Sequence, residues 1–270
     1  MSETGQIAIT VNDVTRRFQR TGGGEVVAAQ NMSLDIRSGE FVCLVGPSGC
    51  GKTTMLQMIA GLLPPSEGTI EVDGRSVTGP GPDRGVVFQK DSVFPWMTVI
   101  QNIEYGLKCR GVPAAERRSQ AQRYLAHVGL EGLEQSWPRE LSGGMLKRVA
   151  IATVFANGSR VLLLDEPFGA LDYVTKHQLY DVLLSLWSED EQHRTVVFVT
   201  HDIDEALLLA DRVLVFKSGR IAADLAIESS RPRSTESLLQ PAVVAHKRTM
   251  LEHIGLRPSS ASPMQAGQGR

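Results

Sequence analysis

The chain has 270 residues, 42% of them hydrophobic and 21% charged, which suits one large globular domain or two small ones. Its formal net charge of -2 offers no basic field to hold nucleic acid, so DNA or RNA binding is excluded as a default role. The three cysteines, Cys43, Cys50 and Cys109, fit neither a zinc nor a disulfide framework and point to a reducing compartment.

The residues from Met1 to Gln6 are polar and lack an apolar signal core. No apolar run approaches the roughly 20 residues that span a bilayer, so a membrane role is expected to run through a partner. Ile7, Ile9 and Val11, then Met32, Leu34 and Ile36, alternate with polar residues as strands do, and Gly22, Gly23 and Gly24 form the loop between them. Residues 41–45 are a continuous apolar run ending in glycine, as in a buried strand. Residues 52–60 read as a helix stopped by Gly61, with Pro64 and Pro65 beyond. Further strands are expected at 69–72 and 85–88. From about 96 to about 155 helical patterns dominate, and residues 114–128 have one charged and one apolar face. This stretch is read as a helical insertion in an α/β domain. Strands resume at 161–164, 195–199 and 212–216, with helices at 174–187 and 203–210, an alternation that implies a largely parallel sheet with covering helices. After about residue 229 the chain is rich in Ser, Pro, Arg and Gln, and disorder is expected from about Pro258. The predicted organisation is one domain over residues 1–235 and an extension over 236–270.

The strongest chemical signal is Gly46-Pro47-Ser48-Gly49-Cys50-Gly51-Lys52-Thr53, a Gly-x4-Gly-Lys-Thr phosphate loop between an expected strand and helix. Its glycines let backbone N–H groups wrap phosphates, and the helix that continues through Thr54 adds its positive end. Lys52 can reach the β- and γ-phosphates, and the Thr53 hydroxyl can ligate Mg²⁺. The bland alternative, a glycine-rich turn before a surface lysine, does not account for the strand and helix on either side. The run Val161, Leu162, Leu163 and Leu164 then delivers Asp165 and Glu166 to the ligand end of a parallel strand. Asp165 suits Mg²⁺, and Glu166 suits a general base that polarises water. Alone this would be a solvated strand end; beside the phosphate loop it signals a nucleoside triphosphatase. A third element, Leu141-Ser142-Gly143-Gly144-Met145, opens a helix inside the insertion. Ser142 could be a simple cap. The turn is also an anion-binding shape, expected to lie far from its own phosphate loop and to serve the nucleotide of another molecule.

With these parts in this order, the chain resembles ATP-binding cassette (ABC) subunits over residues 7–223. The resemblance implies an α/β phosphate-loop NTPase core with an N-terminal antiparallel β region and an inserted helical subdomain. It implies ATP and Mg²⁺ as ligands and a transport-coupled ATPase. Phe18 matches the aromatic that stacks on adenine, and Gln89 the glutamine that senses Mg²⁺ and the γ-phosphate. Leu141 to Met145 match the signature that contacts the opposite ATP, Gly169-Ala170-Leu171-Asp172 the dimer-contacting loop, and His201 the switch histidine. Met145 stands where many members have Gln, and Thr153 and Phe155 depart from the usual texture after the signature. Residues 84–90, Phe94-Pro95-Trp96, Asn102, and Gly106 with Leu107 are similar to importers of nitrate, sulfonate and taurine.

The partners implied are a second copy of the cassette, integral membrane permease subunits and, indirectly, a periplasmic or extracellular binding protein. Nucleic acid is not among them. The implied location is peripheral, on the cytoplasmic face of the membrane. The alternative is a soluble ABC ATPase for nucleic acid or translation; such proteins carry long coiled-coil arms or two cassettes, whereas this chain has no heptad run and one phosphate loop. A nucleotide-gated module without turnover is a third class, against which Lys52, Glu166 and His201 argue. Finally, residues 91–97 gather Val93, Phe94, Pro95, Trp96 and Met97 in a loop, since Pro95 interrupts any helix. They either fill the core between subdomains or form a groove for a permease helix.

Overall fold

The computed structural model describes residues 5–90 and 92–255. The disorder expected from Pro258 lies outside these residues, as does Asp91 of the aromatic loop. Strand β1 (Ile7–Gln19) and β2 (Glu25–Arg37) form an antiparallel hairpin around the triple-glycine tip. The chain then crosses into a second sheet as β3 (Phe41–Val45), runs through α1 (Lys52–Ile59), and returns to the first sheet as β4 (Glu67–Val72) and β5 (Arg75–Ser76). The first sheet thus has the order β2-β1-β4-β5. The second collects β6 (Arg84–Val87), β7 (Val161–Asp165), β8 (Thr195–Thr200), β9 (Arg212–Lys217) and β10 (Arg220–Ala226) in the order β10-β9-β3-β8-β7-β6. All its neighbours are parallel except β10, which pairs antiparallel with β9.

The continuous apolar runs of β3, β7 and β8 follow from burial on both faces. Successive side chains point to opposite sides. Phe41, Cys43, Leu162, Leu164, Val196 and Phe198 join the core shared with the helices. Val42, Leu44, Leu163, Val197 and Val199 join the core shared with α1 and the antiparallel sheet. Between β6 and β7 lie α2 (Val99–Cys109), α3 (Ala114–His127) and α4 (Gly143–Ala156), packed on one another. Thr98 and Gln101 close a capping box on α2, and the Ser142 hydroxyl accepts from the Met145 N–H to cap α4. Thr153, a departure in texture, turns its hydroxyl back to the Val149 carbonyl at 2.8 Å. Helices α5 (Tyr173–Ser188) and α6 (Ile203–Leu209) follow β7 and β8.

Besides the two-residue strand β5, the structure adds two elements that the sequence patterns do not announce. One is β10. The other is α7 (Pro241–Ile254), inside the stretch read by composition alone as an extension. It is bound to the body by tertiary contacts. Val243 and Met250 are buried, and Lys247 Nζ meets both Asp204 carboxylate oxygens at 2.6 and 2.8 Å. Before it, Arg231 and Arg233 donate to the carbonyls of Leu207, Leu209 and Ala210, satisfying the C-terminal end of α6. Such a helix is invisible to a periodicity argument because only these two positions are buried. Met250→Ala should cost about 2–5 kcal/mol, read as a lowered midpoint in chemical denaturation of the full chain. An unchanged midpoint would show that α7 adds nothing to the stability of the body.

Candidate active site

The phosphate loop leaves β3 at Val45 and enters α1 at Lys52. Two of its glycines are forced by close approach. A Cβ on Gly46 would lie 2.3 Å from the Phe216 carbonyl oxygen, and one on Gly51, whose φ is +106°, would lie 2.2 Å from that of Ala28. The loop is therefore wedged between β9 and the hairpin strand β2. Pro47, Ser48 and Gly49 form its exposed rim, while Cys50 is buried beneath. Lys52 is only 4% exposed, and its ammonium donates to the Gly46 and Pro47 carbonyls at 2.8 and 3.1 Å. Thr53 and Thr54 follow on the first turn. No side chain caps α1, unlike α2, α4, α5 and α6, so its first N–H groups are open to an anion.

Across the loop, the Thr53 hydroxyl donates to Asp165 Oδ1 at 2.9 Å. Burial pushes the Asp165 carboxyl up, opposed by the Thr53 hydroxyl and Lys52 and reinforced by the neighbouring Glu166 charge. A hydroxyl and a half-buried carboxylate make the beginning of a hard oxygen set of the kind Mg²⁺ takes. Glu166 has a φ of +42°, a strained conformation for a residue with a side chain. Its N–H donates to the Val199 carbonyl at 3.0 Å, anchoring the turn to β8. Glu166 Oε2 receives the Gln89 amide at 3.3 Å and lies 3.2 Å from His201 Nδ1. Residues from three separate strand ends thus meet on one carboxylate oxygen.

Lys52, Thr53, Asp165, Glu166, Gln89 and His201 therefore converge. Phe18 lies apart, near the end of β1 opposite Val26, with the Arg16 guanidinium 4.7 Å above its ring and the rest of the ring partly exposed. Ser142, Gly143, Gly144 and Met145 are also apart. Gly144 packs against the first turn of α5, where a Cβ would lie 2.6 Å from Thr175 Cγ2. Among the described residues no hydrogen bond joins this turn to the phosphate loop.

A further group escapes sequence reasoning. Asp202 caps α6, and Lys176 of α5 donates to it at 3.0 Å. Glu205, three residues after Asp202, reads as the return arm of a capping box, yet its carboxylate takes the buried Thr200 hydroxyl instead. Only burial, which spacing does not reveal, sets Glu205 apart from a surface acid.

A family model described as ABC transporter matches residues 29–169. This chain belongs to the ABC transporter family. It is similar to the nitrate import ATP-binding protein NrtD of Synechocystis sp., 50% identical over 221 residues that cover 81% of this chain and 82% of the relative. It is also similar to the taurine import ATP-binding protein TauB of Jannaschia sp., 42% identical over 215 residues, 79% of this chain and 80% of the relative. Among solved structures it resembles a dimeric, post-hydrolysis state of the ATP-binding cassette MJ0796 bound to ADP and Pi. The TM-score is 0.71 and the identity 32%, over 82% of this chain and all of that one. The fold is an ABC ATPase cassette, and the chain is an ATP-binding, ATP-hydrolysing import subunit. In the ABC cassette, Lys52→Ala removes the one charge at the loop centre, and steady-state phosphate release should fall by about 100-fold or more. Wild-type turnover in that variant would remove Lys52 from the site.

Proposed function

We propose that two copies of this cassette close on two ATP molecules and so drive import of a small oxyanion, such as nitrate or a sulfonate like taurine, through a partner permease. The observation that carries the paired arrangement is the Ser142-Gly143-Gly144 turn. It is an N-capped helix start with anion-binding geometry, packed on α5 and joined by no hydrogen bond to its own phosphate loop. Its γ-phosphate would belong to the other copy, with Met145 at the edge of the contact. The dimeric state of the similar MJ0796 cassette supports this reading.

In each site, Gly46 to Thr54 would cradle the phosphates, Lys52 would supply the positive charge between β and γ, and Phe18 would stack on adenine by its exposed face. Thr53, Asp165 and Gln89 would hold Mg²⁺, which supplies positive charge at the phosphate oxygens when bound. Glu166 is placed to take a proton from the attacking water. His201, on the same carboxylate oxygen, would orient it and face the γ-phosphate. We take residues 1–235 as the cassette proper, with the helical subdomain at about 96–155, and α7 as an addition packed onto it.

The permease contact would lie at the loop after Gln89. Trp96 is 67% exposed, so it does not fill the core. Phe94 stacks beneath it, with ring centroids 5.5 Å from Trp96 and 4.7 Å from Tyr105, and Asn102 fixes the loop by accepting from the Phe94 N–H at 2.7 Å. Hollows of about 590 and 780 Å³ lie on either side of Trp96. An exposed tryptophan on a braced loop between two hollows suits a short helix from a membrane subunit. Among the described residues no helix is long and apolar enough to cross a membrane. As the similarity to import ATP-binding proteins suggests, the cassette would sit peripherally at the cytoplasmic face, fed indirectly by an external binding protein.

Glu166→Gln keeps the shape but loses basicity and charge. It should bind ATP, stall before hydrolysis and accumulate as a dimer, seen as a doubled mass in light scattering with ATP and Mg²⁺. A mutant that is ATP-bound and strictly monomeric would count against the sandwich. Trp96→Ala should leave stability within about 0.5 kcal/mol of wild type while permease co-purification and transport fall. A large loss of stability with permease binding intact would move the contact elsewhere.

A further inference from the structure

We propose that Lys176 is a positioning residue for ATP hydrolysis, tying α5 to α6 and so fixing where His201 stands. The inference rests on the ATPase reading of the site. Helix α5 starts at the Gly169-Ala170-Leu171-Asp172 loop, and α6 starts one residue after His201 and its neighbour Asp202. Lys176 bridges the two helices. Its ammonium is 3.0 Å from Asp202 Oδ2 and 4.0 Å from Glu205 Oε1.

Each residue beside His201 is held by this group. The Thr200 hydroxyl donates to Glu205 Oε2 and accepts from the Asp202 N–H at 3.0 Å. Asp202 Oδ1 accepts from the N–H groups of Asp204 and Glu205 at 3.0 and 3.3 Å, which leaves Oδ2 for Lys176. Glu205 is 4% exposed; Lys176 is the cation that faces its Oε1, and the Tyr180 hydroxyl of α5 also lies against the carboxylate. Burial pushes the Glu205 carboxyl up, reinforced by the Asp202 charge and opposed by the Thr200 hydroxyl, Lys176 and the Tyr180 hydroxyl. Burial also pushes Asp202 up, but Lys176 and the two N–H groups outweigh it and hold that carboxyl below its ordinary value. His201 itself is half exposed and meets Glu166 by one contact of 3.2 Å. Its aim therefore depends on its backbone, and its backbone depends on Thr200 and Asp202. An error of about 1 Å in the position of a reacting partner can cost about 100-fold in rate, so a loosened frame should appear in turnover rather than in affinity.

The test is single-turnover hydrolysis of ATP with Mg²⁺ by the full-length chain in excess. Lys176→Met should lower the saturated rate about tenfold or more, with half-saturation by ATP within about twofold of wild type, and Lys176→Arg should restore most of the rate. In a His201→Ala background, Lys176→Met should remove little further rate, because both act through the same imidazole. Lys176→Met leaves Glu205 buried without its counter-charge, so the pair Lys176→Met with Glu205→Gln separates stability from positioning. The pair should regain the thermal midpoint and keep the slow rate, since Asp202 is still unheld. Recovery of the rate together with stability would make Lys176 only a counter-ion and overturn the proposal. So would a wild-type rate in Lys176→Met, or a loss fully additive with His201→Ala. Absence of hydrolysis by the wild-type chain, even with its membrane subunits, would instead sink the ATPase reading on which this rests.

Discussion

The register of three parallel strands governs this site. Val45 of β3 is level with Thr200 of β8, and Asp165 of β7 is level with Val199. One residue further along each strand stand Gly46, His201 and Glu166. The start of the phosphate loop, the histidine and the carboxylate therefore leave the same sheet edge side by side. A slip of one residue in any pairing would turn every side chain of that strand to the opposite face. Burial on both faces forbids that slip, because both faces of β3, β7 and β8 contribute to packed cores. The hydrophobic effect that orders the sheet is thus also what fixes the chemistry to within hydrogen-bond distances.

Against that rigid edge, the site carries several features that cost stability locally. Glu166 occupies a positive φ, Asp165 is a carboxylate pushed up by burial, and Lys52 is a nearly buried ammonium satisfied by two loop carbonyls. Glu205 adds a carboxyl that burial pushes up. Such groups persist only where the surroundings over-determine them. The surroundings here are the continuous apolar strands, and the loop glycines that let Phe216 and Ala28 approach as backbone.

What could be read in the sequence divides along the same physical line. The apolar strands β3, β7, β8 and β9, with α1 and α4, are legible because their cause is local: unbroken apolar runs, a glycine spacing, a capping serine. Composition does not tell whether residues 91–97 fill the core between subdomains or form a groove for a permease helix; in the structure Val93 packs on the core while Trp96 stands exposed. Helix α7 was illegible because it is held by Lys247, Val243 and Met250 acting on distant residues. Lys176 and Glu205 were illegible for the same reason. Each looks like an ordinary helical charge until a second helix is laid against it, since a charge pattern reports spacing on one helix and says nothing of which neighbour it meets.

Gln89 shows why the two halves of the cassette cannot be considered separately. Its side-chain amide reaches Glu166, while its backbone carbonyl accepts from Lys147 of α4 at 2.6 Å. Lys147 lies just over one turn beyond the Ser142 cap, so the helix that starts there is tied by a charge-assisted bond to the residue that touches Glu166. Packed helices resist gradual deformation, and α4 is wedged among α2, α3 and α5. A displacement of Gln89 therefore has two outcomes. It breaks the bond to Lys147, or it carries α4 and its signature turn as a unit. The aromatic loop with Trp96 begins within a few residues of the same glutamine, so the Ser142 turn and the exposed tryptophan both connect to Gln89 through short paths. The Glu166 carboxylate and the helical subdomain therefore share Gln89 as a common contact.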